Sequence, residues 1–283
     1  MNEANLLGMR ILQDDSIAQK FNAGGLPLYT ARENIDGFPD RRTIPHWNVG
    51  LETVYIRTGT MKMNFAGKEI VLCENDIAVI DPGCVHYFEG LPDTECVYDC
   101  FVMDEALFPS VPSLKEKYLT PLFRAEKPAA GVLRANNVSC RSLAPLLEKI
   151  HMLCRESGEC RELPVAALCM EFLSLLYESS KPMFLGEKDK TDSESALKNM
   201  VSFIRLNYAR QVSIEMLCKA GGVSRNRCFC VFRTYTGNTP ANYILKYRLK
   251  VSENYLANTD MPISEIAAAC GFAHQSHYTG RFC

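Results

Sequence analysis

Two groups of residues have types and spacings that can do chemistry. The first is His46-x-Asn48-x3-Glu52, followed after six residues by Gly59, and later Asp81-Pro82-Gly83-Cys84-Val85-His86. Imidazole nitrogens and a carboxylate hold divalent transition ions, and they also hydrogen-bond polar small molecules. Residues 46, 48 and 52 share parity, so on an extended chain their side chains share a face. Asparagine is a poor ligand for Zn2+, Fe2+ or Ni2+. Trp47, the only tryptophan, offers a flat ring beside them.

The second group lies in a weak internal duplication. Ile214-Glu-Met-Leu-Cys-Lys-Ala-Gly-Gly222-Val223 aligns with Ile263-Ser-Glu-Ile-Ala-Ala-Ala-Cys-Gly271-Phe272. Each copy predicts a short helix, a glycine at positive φ, an apolar plug and a second helix. That is the form of a helix-turn-helix, whose second helix enters the major groove N-terminus first. In the first copy Ser224 is a good N-cap, Cys228 and Phe232 face inward, and Arg225, Asn226 and Arg227 stand where bases and phosphates are met. Arginine pairs with guanine edges and asparagine with adenine. Phe229, Cys230 and Arg233 continue the outward face. In the second copy the corresponding residues are Gln275, Ser276, Thr279 and Arg281, with Tyr278 and Phe282 inward. Thr239 and Pro240 start a helix between the copies that runs through 241–257.

The charge distribution agrees with a polyanion partner. The net charge is -2, but residues 196–283 hold eleven Lys/Arg against four Asp/Glu, a balance of +7. The remaining residues are therefore -9, and a basic module follows an acidic one. Ahead of it, residues 45–103 carry short β-rich runs (LETVYIR, MKMNF, EIVL, IAVI, ECVYDCFVM) punctuated at Thr58-Gly59, Ala66-Gly67, Asn75-Asp76 and Pro82-Gly83. Many short strands at even spacing predict a small antiparallel barrel. Helical spacing follows at 141–156 and 163–180, with a turn at 156–159 between. The polar stretch 181–195 reads as a linker. The thirteen cysteines are scattered, which predicts reduced, mostly buried thiols rather than a disulfide framework. No apolar leader or membrane-length run is present, so a cytoplasmic location and no membrane partner are expected.

From Ser224 to Phe282 the chain resembles the DNA-binding domain of AraC-type transcription regulators. The marks are F-x3-T-G-x-T-P-x-x-Y from Phe232 to Tyr243, Y-R-L from Tyr247 to Leu249, I-S-E-I-A from Ile263 to Ala267, and G-F-x-x-Q-S from Gly271 to Ser276. His46 to Gly59 and Asp81 to His86 likewise resemble the two cupin motifs, with Asn48 and Asp81 as departures; of the ligand set that metal-binding cupins use, this resemblance would leave His46, Glu52 and His86. The resemblance implies an α+β multidomain protein. A cupin-like antiparallel β-barrel (1–140) would carry a helix pair (141–180) that serves dimerisation. A linker (181–195) would join it to an all-α domain (196–283) with two helix-turn-helix motifs.

The implied function is a transcription regulator that binds double-stranded DNA and answers to a small-molecule effector, a sugar or other metabolite. The effector would bind at His46, Trp47, Glu52 and His86 inside the barrel, with no metal and no cofactor, because sensors of this type are generally metal-free. A homodimer and RNA polymerase are the expected protein partners. The family pattern continues past Phe282, so the second motif is expected to lack its closing helix. Gly280 in its second helix weakens it by about 1 kcal/mol relative to alanine. The rival readings are a metal-dependent cupin enzyme with a basic appendage, and a truncated regulator with weak DNA binding. No nucleophile triad, phosphate loop or carboxylate pair elsewhere favours catalysis.

Overall fold

The computed structural model describes residues 23–108, 111–123, 129–156, 160–180 and 192–282, together with the backbone of 5–6, 9–11 and 17–19. The chain forms two compact units, Gln19–Asp189 and Lys190–Cys283 with Met1–Ala18. Among the described residues no helix is long and apolar enough to cross a membrane. Three short strands, β1 (Asn5–Leu6), β2 (Met9–Ile11) and β3 (Ile17–Gln19), make a small sheet of their own.

The larger unit is built on β5 (Leu51–Phe65), a 15-residue strand. Its first half pairs antiparallel with β7 (Ile77–Ile80) and β9 (Cys96–Met103), and its second half with β6 (Lys68–Cys73) and β8 (His86–Gly90). β4 (Leu28–Asn34) pairs with β9, and β10 (Ala130–Leu133) pairs with β7. The turn expected at Thr58-Gly59 is instead a bulge within one strand, where the register with β9 shifts between Ile56 and Thr58. A bulge exchanges the two faces of a strand. Val54 and Ile56 before it join the same core as Met61, Met63 and Phe65 after it. Gly59 is required there. Its φ is +79°, and a Cβ would stand 1.8 Å from the Glu95 carbonyl oxygen.

The expected cupin-like barrel does not form. The seven-stranded sheet runs β10-β7-β5-β9-β4, with β6 and β8 on β5, and its end strands β4 and β10 do not pair with each other. Closure requires the first and last strands to meet with consistent tilt and stagger. Short alternating runs specify neighbours, not that long-range pairing. The chain between β9 and β10 also leaves the sheet, through α1 (Pro112–Leu114), a π-turn over Lys115–Leu119 and α2 (Thr120–Phe123).

One face of the sheet is covered by α3 (Val138–Arg155) and α4 (Glu162–Ser180). Leu51, Tyr55, Phe101 and Met103 pack there on Leu143, Leu147, Ile150, Phe172 and Leu176. The opposite face, with Val54, Ile56, Phe88, Cys100 and Val102, forms a second core. The expected turn between the helices falls on residues 157–159, outside the described residues. So do 181–191 of the expected linker, while 192–195 already belong to a helix.

The smaller unit is helical: α5 (Asp192–Asn207), α6 (Ile214–Gly221), α7 (Arg225–Thr236), α8 (Pro240–Asn258), α9 (Ile263–Ala269) and α10 (Gln275–Phe282). The caps are local. Ser213, Ser224 and Thr239 each accept a bond from the backbone N–H three residues on, at 3.3, 3.4 and 3.3 Å, which satisfies an orphan donor of the first turn. α8 is 19 residues, a rod of about 28 Å. It is tied to the end of α5 by Arg248, which donates to the carbonyls of Tyr208 and Arg210 at 2.8 and 2.7 Å. Among the described residues the cysteines are free thiols.

Candidate functional site

In the helical unit α6 and α7 are joined through Gly222, which is left-handed (φ 63°, ψ 33°). Val223 donates to the Cys218 carbonyl, so the chain reverses within three residues. α7 buries Cys228, Val231, Phe232 and Tyr235 and leaves Ser224, Arg225, Asn226, Arg227, Cys230 and Arg233 exposed. Phe229 is half-buried. Phe232 sets the depth of the helix by an edge-on contact with Tyr243 of α8, with ring centroids 5.5 Å apart. The two arginines differ in their tethers. Arg225 forms an exposed ion pair with Glu215 of α6 at 2.9 Å. Arg227 donates to the Ser193 hydroxyl near the start of α5.

The second motif repeats the turn with Gly271 at φ +80°, where a Cβ would meet the Tyr208 carbonyl at 2.6 Å. Tyr278 is buried against Phe272, with centroids 5.1 Å apart. Gln275, Ser276 and Thr279 of α10 are exposed. The side chains of Arg281 and Phe282 lie outside the described residues.

In the sheet unit the structure brings His46, Asn48, Glu52 and His86 together. Glu52 comes from β5 and shares its face with Val54 and Ile56. His86 opens β8, and His46 lies on a segment that bridges it antiparallel, the two exchanging backbone N–H···O bonds of 3.0 and 2.9 Å. All four side chains are buried, as is Trp47. Glu52 Oε2 is 2.8 Å from His86 Nε2 and 4.0 Å from His46 Nε2. Asn48 Nδ2 donates to the same oxygen at 2.5 Å, and the Cys100 thiol to Oε1 at 3.5 Å.

Each imidazole has its Nδ1 on a carbonyl, His46 on Ile44 at 2.8 Å and His86 on Cys84 at 2.9 Å. A carbonyl only accepts, so both Nδ1 atoms carry the proton. Burial alone would raise the Glu52 carboxyl, but the neighbouring imidazoles outweigh it and hold the carboxyl down at about 2. Burial opposes charge on His86 too, and the Glu52 carboxylate reverses this and raises it. His86 Nε2 and Glu52 Oε2, 2.8 Å apart, thus form a buried charge-paired contact.

Sequence reasoning missed a second polar cluster, beneath α3. Asp99 of β9 is fully buried and takes Arg32 in two bonds of 2.7 and 3.0 Å. Arg57 stands 3.8 Å from Asp99 and pairs with Glu148 of α3. His151, one turn on, meets the Thr30 hydroxyl at 3.0 Å, and burial lowers its pKa. An open groove of about 400 Å³ is lined by Arg32, Tyr55, Arg57, Thr58, Asn75, Val97 and Glu148. Only the odd placement of charge in apolar strand runs hinted at this cluster.

Comparison with known proteins decides the family. The AraC-like ligand binding domain family matches residues 35–182, more than half of the chain, and a helix-turn-helix domain family matches residues 217–282. The chain belongs to the AraC family of transcription regulators. It is similar to the uncharacterized HTH-type transcriptional regulator YdeC of Bacillus subtilis, 24% identical over 89% of this chain and 85% of that protein. It also resembles the HTH-type transcriptional activator RhaS of Salmonella arizonae, 26% identical over 50% of this chain and 48% of that protein, so it spans about half of that relative's length. Among solved structures it aligns with unsaturated fatty acid bound ToxT from Vibrio cholerae, 12% identical over 90% of each chain, with a TM-score of 0.48. This AraC-family protein is thus a DNA-binding transcription regulator with an N-terminal effector-binding domain, and not an enzyme. That effector domain is an open sheet under two helices, not the expected cupin-like barrel.

Proposed function

We propose that this regulator reads double-stranded DNA chiefly through the start of α7, with Arg225, Asn226 and Arg227 as the principal contacts. Ser224, Phe229, Cys230 and Arg233 complete that surface, and Gln275, Ser276, Thr279 and Arg281 of α10 form a second, weaker one. The observation that carries this is the exposure of Arg225, Asn226 and Arg227, residue types able to pair with bases, at the start of the helix that follows the left-handed Gly222 turn. A small polar effector acts at His46, Trp47, Glu52 and His86 and shifts the population of DNA-competent states. The working unit is a homodimer joined through α3 and α4, and RNA polymerase is the further partner. The exposed Val138, Met152 and Leu163 on those helices support that assembly.

The test is binding of the full chain to DNA upstream of its own gene, against a scrambled duplex. Arg225→Ala and Arg227→Ala should each weaken specific binding and spare non-specific binding. Equal affinity of both variants and the parent protein would contradict the assignment.

A further inference from the structure

We infer that the groove beneath α3 binds a small organic carboxylate, which Arg57 receives in place of Glu148. The site is separate from the proposed effector cluster and does not rest on it. Tyr55, which lines the groove, belongs to the helix-covered face of the sheet, whereas Glu52 shares the opposite face with Val54 and Ile56. Three neighbouring strands assemble the site. In the register of the sheet, Asp99 of β9 stands opposite both Arg32 of β4 and Tyr55 of β5. Asp99 is fully buried, and its two oxygens each accept a bond from Arg32. Its charge is therefore matched before Arg57 is counted. Arg57 stands 3.8 Å from Asp99, beyond hydrogen-bond reach, and the carboxylate it donates to is Glu148.

Glu148 is the exchangeable partner. Its side chain is 43% exposed, against 0% for Asp99, and it engages a single guanidinium nitrogen. A guanidinium pairs best with a carboxylate through two parallel bonds, a contact that a free carboxylate can make and Glu148, reaching down from α3, does not. The exchange leaves the local charge unchanged, and the released Glu148 turns to water. A dianion would instead bring a further negative charge beside Asp99, which disfavours phosphate. The groove holds about 400 Å³, within the range of small-molecule sites, so it takes more than the carboxylate itself. Val97 gives it an apolar wall. Asn75 gives it a donor, because its Oδ1 already accepts from the Tyr55 hydroxyl at 2.9 Å and the Nδ2 is the end it can offer. Occupancy would untie α3 from β5.

The experiment uses the full chain with acetate as the probe, at constant ionic strength, read by saturation transfer from the protein to the acetate methyl protons. Acetamide is the uncharged isostere, and inorganic phosphate is tested as a competitor. Acetate should bind, and acetamide should not. Phosphate should displace acetate at least about tenfold less well than unlabelled acetate does. Arg57→Lys keeps the charge but loses the fork, and should weaken acetate binding by at least about tenfold. Glu148→Gln removes the competing carboxylate and should tighten acetate binding severalfold, a gain that a misfolded variant cannot give. Absence of acetate binding even in Glu148→Gln, equal binding by Arg57→Lys and the parent protein, no gain in Glu148→Gln, or phosphate competing as well as acetate would each overturn the proposal.

Discussion

Removing Arg225 should weaken recognition while leaving the fold intact, and the structure supplies both halves of that expectation. The guanidinium is 65% exposed and its partner Glu215 73% exposed. Pairs this exposed add little to stability because solvent screens them, so Arg225→Ala should shift the melting temperature little. A bidentate base contact is worth about 1–3 kcal/mol of discrimination, or roughly 5–150-fold in affinity. The same geometry makes a second, opposite prediction. Glu215 holds the guanidinium against α6 and repels phosphate, so Glu215→Gln should tighten DNA binding modestly. Fluorescence anisotropy on specific and scrambled duplexes, at two salt concentrations, reads both effects. If Arg225→Ala and Glu215→Gln both leave specific affinity within about twofold of the parent while the protein stays folded, Arg225 does not face DNA.

Other perturbations test the scaffold. Gly59→Ala would place a Cβ 1.8 Å from the Glu95 oxygen at φ +79°; a loss above about 3 kcal/mol is expected, seen as a lost effector-domain transition in calorimetry, and a normal melt would refute it. Phe232→Ala empties a fully buried position that touches Tyr243; about 3–5 kcal/mol should be lost, with rapid proteolysis of the helical unit. Burial pushes the Asp81 carboxyl from its ordinary 3.8 up to about 7, against the Ala129 N–H that it accepts. Because the folded value exceeds the unfolded one, this group's contribution is complete below pH 3.8 and is lost as pH rises through about 7. The parent protein should therefore lose on the order of 1–4 kcal/mol from this group between pH 4 and 8. Asp81→Asn should flatten that slope in urea titrations, and an unchanged slope would contradict the assignment.

Much of the helical unit is legible in the sequence because its signals are local. Ser224 caps, Gly222 and Gly271 turn, Pro240 starts a helix, and Cys228, Phe232 and Tyr278 keep helical spacing inward. The sheet is legible only strand by strand. Two predicted strands are one, because the bulge at Ile56/Thr58 keeps the chain extended through a Thr-Gly pair that reads as a turn. Closure failed as an expectation because it depends on β4 meeting β10, a pairing set by the intervening chain and the helix pair rather than by alternation. Shared parity suggests a common face for His46 and Glu52, and only the motif resemblance places His86 with them. The fixed tautomers follow from neither, since they depend on where the Ile44 and Cys84 carbonyls fall. The cluster of Asp99, Arg32, Arg57 and Glu148 is assembled from four separate elements, so charges in apolar runs hint at each member but no local pattern brings them together.

The central claim is that the start of α7 lies on DNA bases when the regulator is bound. The most direct measurement places a photo-cross-linking residue at Asn226 and maps adducts within the footprint of the full chain on its upstream DNA. The account predicts cross-links to bases in a major groove inside the protected region. Cross-links confined to the backbone, or absent from a complex that still forms, would contradict it.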